Sequence, residues 1–263
     1  MGGRSIEPFP RQRLGTVDYM RVAAGRSDVH GLLELDVTEP RALIDDHEAE
    51  TGERLSFTGF LVHCLGAAID EHPDVQAYRD WRGRLHRFED VDVNVLVETT
   101  VDGRQIGVPH VLRAVNERSI RSIHDEIRAA QRNPEEGRQS RWARLAMWLP
   151  GVLRRQVWRL PQLFPGRWTR LAGTVAVTSV GMFGSGGGWA ISPTNYALQL
   201  TVGGIGTKPA FVDGEIEPRE FLSLTVTVDH DVIDGAAAAR FVERLGELVE
   251  AGYGLASTTD GTG

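Results

Sequence analysis

Residues 222–235 read Leu-Ser-Leu-Thr-Val-Thr-Val-Asp-His-Asp-Val-Ile-Asp-Gly, the most informative stretch of the chain. Apolar and polar residues alternate without exception from Leu222 to Val228, which predicts a half-buried strand. The apolar spacing that follows predicts a helix over residues 236–250. A strand that passes directly into a helix holds the side chains of the intervening turn rigidly at the end of a sheet.

His230 lies in this turn, and Asp234 follows it four residues later. His230 is a candidate general base, because an ordinary imidazole has a pKa of about 6.5 and exchanges a proton near neutral pH. Asp234 is placed to cap the helix or to hold an arginine, and either role fixes the turn that presents His230. The spacing also fits a loop histidine beside a helix-capping aspartate without any chemistry, so both interpretations stay open.

Strands and helices alternate along the rest of the chain. Apolar periodicity predicts further strands over residues 30–37, 91–97, 175–180 and 197–205, and helices over residues 39–51, 56–72 and 117–131. No long Pro-, Gly- or Ser-rich linker separates them, so residues 1–263 are expected to form a single α/β domain with a mixed sheet. Residues 252–263 are mostly polar and are expected to be disordered.

Composition excludes several classes of function. With 41% hydrophobic and 25% charged residues among 263, the chain is typical of a globular protein. Its net charge of −7 makes a nucleic-acid partner unexpected. The single cysteine, Cys64, and an N-terminus without an apolar signal region predict a cytoplasmic location, and no apolar run is long enough to span a membrane. No motif with zinc-ligand or serine-hydrolase spacing occurs, so no metal is expected.

Residues 132–170, here called the Arg/Trp segment, differ sharply from the rest of the chain. Nine arginines against two glutamates give the segment a net charge of +7 and leave −14 elsewhere, and four of the six tryptophans lie within it. The segment is expected to be a helical insert that Pro150, Pro161 and Pro165 break into short pieces. It fits a membrane surface, an acidic partner protein, or packing over its own protein with the tryptophans inward and the arginines in solvent.

Several ordered blocks resemble one protein family, the catalytic domains of the dihydrolipoyl acyltransferases of 2-oxo acid dehydrogenase complexes. The blocks are His230-x-x-x-Asp234-Gly235, residues 173–184 ending Gly-Met-Phe-Gly, Val-Asp-Val-Asn-Val-Leu-Val-Glu-Thr at residues 91–99, and Ser-Asp-Val-His at residues 27–30, which resembles the family's Pro-His segment before an early strand. The similarity covers about residues 17–131 and 171–251. It extends to the related chloramphenicol acetyltransferase and implies that enzyme's fold, a mixed-sheet two-layer sandwich, here with the helical insert.

The resemblance implies acyl transfer between coenzyme A and a thiol acceptor, a dihydrolipoyl group. His230 would take the proton from the attacking thiol, the Thr178 hydroxyl would bind the tetrahedral oxyanion, and Asp234 would orient the histidine turn. The family pattern implies a homotrimer with active sites between subunits. Because too few residues precede the match for a lipoyl domain, the lipoyl group is expected on a carrier protein, supplied in trans.

Some positions depart from the family pattern. Asp231 stands where the family usually has arginine, Arg21 and Arg26 are both candidates for an early family arginine, and the residues that bind coenzyme A are not identified. The polar C-terminus predicts a trimer that does not join into a cage. The alternatives are a coenzyme A-dependent acyltransferase with a small-molecule acceptor, and a non-catalytic trimeric scaffold whose insert binds a partner or holds the protein at a membrane surface.

Overall fold

The computed structural model describes residues 5–10, 13–101, 104–132, 149–179 and 186–256. The helices are α1 (Leu14–Ala23), α2 (Thr38–Thr51), α3 (Phe57–Glu71), α4 (Ile120–Arg132), α5 (Gly151–Val157), α6 (Leu160–Leu163), α7 (Pro165–Ala172) and α8 (Gly235–Glu250). The strands are β1 (Asp28–Asp36), β2 (Tyr78–Arg79), β3 (Leu85–His86), β4 (Val93–Val101), β5 (Arg104–Leu112), β6 (Val175–Ser179), β7 (Leu198–Val212) and β8 (Glu215–Asp229). No helix in these ranges has the length and apolar character of a membrane span.

Six strands form the main sheet, in the order β1-β8-β7-β6-β4-β5. Strand β6 runs parallel to both β4 and β7, and the other pairs are antiparallel. Strands β2 and β3 form a separate short ribbon. The predicted mixed-sheet α/β fold is therefore confirmed.

One face of the sheet carries the main hydrophobic core. The apolar residues of the alternating stretch, Leu222 to Val228, lie in this core, and α2, α3 and α8 pack over it. Helix α3 begins at the predicted Ser56 cap, whose hydroxyl accepts a hydrogen bond from the Gly59 N–H at 3.1 Å. Cys64 lies on this helix with no exposed surface, so it is part of the core.

The other face of the sheet is polar and nevertheless buried. Ser223, Thr225 and Thr227 point to this face, and none is more than 2% exposed. At Ser223 the covering group is segment 186–188, whose Gly188 N–H donates to the Ser223 hydroxyl at 3.0 Å, and the Thr227 hydroxyl lies 2.9 Å from the His30 ring. The alternation in β8 therefore separates two buried faces, whereas the sequence pattern predicts one buried and one solvent-exposed face.

The described part of the Arg/Trp segment packs on its own chain. Helices α5, α6 and α7 each begin at or next to one of the three prolines. Trp168 is 5% exposed beside Tyr196, and the Trp158 ring packs edge-on against Tyr19 of α1. These contacts agree with tryptophans directed inward, whereas Trp142 and Trp148 lie outside the described residues.

One arginine of this segment does not follow the expectation that the arginines face solvent. Arg154 turns inward and donates to the buried Asp18 carboxylate at 2.7 Å. Apolar residues of the same helix, Val152 and Leu153, are 62% and 54% exposed instead. The buried Asp18 carboxylate explains this inversion, because an unpaired buried charge costs more than an exposed valine or leucine.

Disorder was expected from residue 252, and for residues 252–255 this is wrong. Leu255 is 3% exposed within the main core, and Tyr253 stacks on the His63 ring at a centroid distance of 5.4 Å. One buried apolar side chain and one ring contact hold this turn against α3. Residues 257–263 lie outside the described residues.

Segment 186–188 crosses β7 in direct contact between the two backbones, with glycine on both sides. The Gly204 N–H donates to the Gly188 carbonyl at 3.0 Å. A Cβ atom on Gly203 would lie 2.1 Å from the Gly188 carbonyl oxygen and 2.7 Å from the Ser223 carbonyl oxygen. Glycine is therefore required at Gly203 by close approach of the backbone.

We expect Gly203→Ala to destabilise the protein by roughly 1–3 kcal/mol, because backbone atoms on both sides of the new methyl group must move. The free energy of unfolding in urea measures the effect. Gly188→Ala is the matched control, since a Cβ there would meet nothing within 4 Å. Equal stability of the two variants would contradict the close approach.

Candidate active site

His230 is held at the end of β8 by a turn with two opposed sides. The His230 N–H donates to the Ser27 carbonyl at 2.9 Å, and the N–H groups of Val232 and Ile233 both donate to the Asp229 carbonyl at 3.0 Å. Ile233 is 3% exposed and anchors the turn in the core, whereas the His230 side chain is exposed. Because Ile233 is buried on one side of the turn, the His230 side chain points outward on the other.

Asp234 is the N-cap of α8. Its carboxylate accepts a hydrogen bond from the Ala237 N–H at 2.7 Å, so the capping role considered for it is present. Capping stabilises the first turn of α8 and thereby the turn that carries His230. The side chains of Asp231 and Asp234 in this turn are both exposed.

Arg26 ties this end of the sheet together. Its guanidinium donates to the Asp229 carboxylate at 2.6 Å and to the Tyr196 carbonyl at 3.2 Å, and it lies 3.5 Å from the Asp28 carboxylate. The Arg26 side chain is only 4% exposed. Of the two early arginines considered in the sequence, Arg26 therefore lies beside the histidine turn, whereas the Arg21 side chain is exposed on α1.

Strand register forces the two carboxylates that Arg26 contacts to face each other. Asp28 of β1 pairs directly with Asp229 of β8. Burial raises the pKa of the Asp28 carboxyl above its ordinary value, while Arg26 opposes this shift and the Asp229 carboxylate adds to it. Like charges directly opposite in a sheet are destabilising, so the fold depends on the buried guanidinium between them.

Thr178 is half-buried near the end of β6, and the structure places it far from His230 of the same chain. Register aligns Thr178 with Thr201 of β7, and Thr201 with Thr225 of β8. His230 follows β8, which is two strands away from β6, and it lies five residues beyond Thr225 along the chain. At about 3.3 Å per residue and about 4.8 Å per strand, the two backbones are roughly 19 Å apart, too far for contact within one chain.

His30, which the resemblance includes in the Ser27–His30 block, lies at the same end of the sheet. The His30 ring on β1 is 2.9 Å from the Thr227 hydroxyl, through Nδ1. Its strand position, two residues beyond Asp28, places it beside the strand that leads to His230. Only the β1–β8 pairing, which links residues almost 200 positions apart, brings it there.

Two cavities are lined by arginines. One, of about 220 Å³, lies between α2, α3 and α4 and is lined by Arg41, Arg54 and Arg128 among others. Arg41 and Arg54 are already ion-paired, with Glu220 at 2.9 Å and with Glu48 at 2.6 Å. The other cavity, of about 570 Å³, lies between α1 and the α5–α6 region.

One group of possible metal ligands occurs among the described residues, namely Glu53, His124 and Asp125. The buried His124 ring already has two partners, because its Nδ1 accepts from the Ser56 N–H at 2.9 Å and its Nε2 lies 3.3 Å from Glu53. These contacts join the start of α3 to α4. The group therefore has a structural explanation without an ion.

The architecture defines a class of protein. A chloramphenicol acetyltransferase superposes on 94% of this chain and 98% of its own with a TM-score of 0.52 at 13% identity. A probable dihydrolipoamide acetyltransferase from Listeria monocytogenes superposes on 95% of each chain with a TM-score of 0.69 at 21% identity. Both likenesses place the fold in the chloramphenicol acetyltransferase-like class.

Sequence comparison identifies the family within that class. The model for the 2-oxoacid dehydrogenases acyltransferase (catalytic domain) matches residues 15–141 and 171–256. The chain therefore belongs to this family, and the resemblance described above is confirmed. The model leaves residues 142–170, most of the Arg/Trp segment, unmatched.

Curated relatives are components of large enzyme complexes. The dihydrolipoyllysine-residue acetyltransferase component of the pyruvate dehydrogenase complex of Mycoplasma capricolum is 23% identical over 219 residues, covering 81% of this chain and 42% of the relative. The lipoamide acyltransferase component of the branched-chain alpha-keto acid dehydrogenase complex of Bacillus subtilis is 25% identical over 225 residues, covering 83% and 46%. The chain thus spans less than half the length of these relatives.

We expect Arg26→Gln to destabilise the protein by roughly 3–5 kcal/mol, because it leaves two largely buried carboxylates, 9% and 14% exposed, opposed without a cation. Urea unfolding at pH 7 measures the loss. Arg21→Gln, an exposed arginine of the same region, is the matched control and should change stability by less than about 0.5 kcal/mol. A similar effect of both substitutions would show that Arg26 is not required between the carboxylates.

The loss in free energy of unfolding caused by Arg26→Gln should become smaller as the pH is lowered. The pKa of Asp28 is raised in the folded protein, so its protonated form favours folding, and this contribution is lost as the pH rises through the folded-state pKa. Without Arg26 the Asp28 pKa rises further, and protonation then removes the repulsion from Asp229. Urea unfolding of both proteins between pH 4 and pH 8 tests this. A deficit that stays constant or grows towards low pH would contradict it.

Proposed function

We propose that the chain is an acyltransferase that moves an acyl group between coenzyme A and the thiol of a dihydrolipoyl group on a carrier protein, with His230 as general base. The observation that carries the proposal is the exposed His230 on a rigid turn, in a chain of the acyltransferase family. The carrier is supplied in trans. No covalent acyl-enzyme is needed, since the two thiols exchange the acyl group directly.

Proton and acyl transfers balance with His230 alone as the proton carrier. The imidazole takes the proton of the attacking thiol, and the resulting thiolate attacks the thioester carbonyl. The tetrahedral oxyanion accepts a hydrogen bond from the Thr178 hydroxyl, and its collapse releases the other sulfur as a thiolate. The leaving thiolate then takes this proton from His230. Asp234 keeps the turn in place by capping α8.

We assign His230 and Thr178 of one site to two neighbouring chains of a homotrimer. The separation of roughly 19 Å along the sheet supports this assignment, because no side chain bridges such a distance. Exposed apolar residues at the sheet margins support association. Val29 and Leu32 on edge strand β1 are 47% and 51% exposed, and the cross-strand pair Phe211 and Ile216 is 81% and 67% exposed.

The outer face of the Arg/Trp segment remains open to the two other roles considered for it, an anionic membrane surface and an acidic partner protein. Exposed Val152 and Leu153 support an apolar contact there. Flotation with vesicles of phosphatidylglycerol tests the membrane role, and no co-flotation even in low salt, where electrostatic attraction to the vesicles is strongest, would remove it.

The proposed reaction is tested by thiol release from acetyl-coenzyme A with dihydrolipoamide as acceptor. We expect His230→Ala to lower kcat by about 10²- to 10⁴-fold, since it removes the general base. The matched control is His72→Ala, a histidine at the far end of α3. Equal rates for wild type and His230→Ala would overturn the catalytic assignment. Activity only with a small-molecule acceptor would replace the dihydrolipoyl group by the alternative acceptor class.

The division of the site between chains is tested by mixing two inactive variants. His230→Ala and Thr178→Val each lack one group, but a mixed trimer contains interfaces where an intact His230 meets an intact Thr178. Random reassembly of equal amounts should restore about one quarter of wild-type activity, since each group is intact at half of the sites. No recovery after unfolding and refolding the mixture would contradict a site shared by two chains.

Light scattering of the wild type should give the mass of three chains of 29.0 kDa each.

A further inference from the structure

A concave surface lies between α1 and the Arg/Trp segment. It is close to the ion pair by which Arg154 of α5 binds Asp18 of α1. Its volume is about 570 Å³, within the range of roughly 300–1,000 Å³ that ligand pockets occupy. The wall consists of Arg21, Val22, Gly25, Arg155, Arg159, Gln162 and Leu163. Four of these seven residues belong to the part of the chain that the family model does not match.

Among the described residues, three guanidinium groups line this cavity and no acidic side chain does. Within the described residues, no carboxylate lies within 4.0 Å of Arg21 or Arg159. Arg155 lies 3.9 Å from Asp18, but Arg154 already binds that carboxylate at 2.7 Å.

Three like charges around one concavity repel each other, and an anion in the cavity removes that repulsion. Guanidinium groups match phosphate oxygens with paired hydrogen bonds, and the Gln162 amide adds a neutral donor. Val22 and Leu163 supply an apolar wall. The cavity exceeds the size of one phosphate group, and three guanidinium groups can surround the oxygens of a diphosphate.

We propose that this cavity, here called the α1–α6 cavity, binds a ligand that carries a diphosphate group. Arg21, Arg155 and Arg159 bind its oxygens. The diphosphate belongs either to coenzyme A itself or to another phosphorylated molecule. The proposal does not depend on acyl transfer by His230, because the cavity lies on other residues and binding is measured without turnover.

Inorganic pyrophosphate is the probe, and isothermal titration calorimetry at constant ionic strength measures its binding to the full chain. We expect pyrophosphate to bind at least about tenfold more tightly than sulfate, because the diphosphate reaches all three guanidinium groups. Arg159→Gln and Arg21→Gln should each weaken pyrophosphate binding by about tenfold or more. Both residues are exposed, so these variants should fold as the wild type does.

Arg170→Gln is the matched control, an exposed arginine of α7 that does not line the cavity, and it should bind pyrophosphate as the wild type does. His230→Ala should also bind it normally, which separates this proposal from the proposed reaction. No binding by the wild type, or equal weakening by Arg170→Gln and Arg159→Gln, would overturn the proposal.

A competition experiment identifies the source of the diphosphate. If coenzyme A displaces pyrophosphate and Arg159→Gln weakens coenzyme A binding, the diphosphate of coenzyme A occupies the cavity. If coenzyme A binds equally well to wild type and Arg159→Gln while pyrophosphate binding is lost, another phosphorylated molecule is the ligand. A wild type that binds sulfate as tightly as pyrophosphate would exclude both sources.

Discussion

The guanidinium of Arg26 neutralises two carboxylates that the sheet itself forces together. Antiparallel pairing of β1 with β8 places Asp28 opposite Asp229, and the neighbouring β7 begins just after Tyr196, whose carbonyl the same guanidinium binds. One side chain thus fixes the relative positions of three strand ends. Because this cluster is buried, the three strand ends cannot separate without exposing uncompensated charge to a medium of low polarity.

The position of His230 follows from this constraint. The residue directly after Asp229 has its N–H bound to the Ser27 carbonyl, one residue after Arg26. The connection between α1 and β1 therefore holds the turn from one side, and the buried Ile233 holds it from the other. The exposed imidazole is thus attached to a turn that is held from two sides, as its proposed role as a general base requires.

Sequence reasoning located the parts of the fold that carry a local signal. Strict alternation marked β8, and the capping residues Ser56 and Asp234 marked the starts of two helices. The alternation could not show that both faces are covered, because the covering groups are residues 186–188, which approach β7 through backbone atoms, and His30 of a distant strand.

Where the pattern gave no signal, the deciding partners lie far away in the chain. Helix α1 was not predicted, because its Asp18 faces inward to meet Arg154, a partner 136 residues later. Arg26 could not be separated from Arg21 for the same reason, since its partner Asp229 is 203 residues away. The packing of Leu255 was missed because one isolated apolar residue after a helix gives no periodicity.

The distance between Thr178 and His230 along the sheet has a consequence for regulation of the proposed activity. In the proposed trimer each chain would contribute His230 to one site and Thr178 to another, so a dissociated chain would hold no complete site. Specific activity then falls on dilution as chains separate, by mass action. If the proposal holds, unassembled copies would not act on acyl thioesters, and the number of working sites would depend on the concentration of the chain.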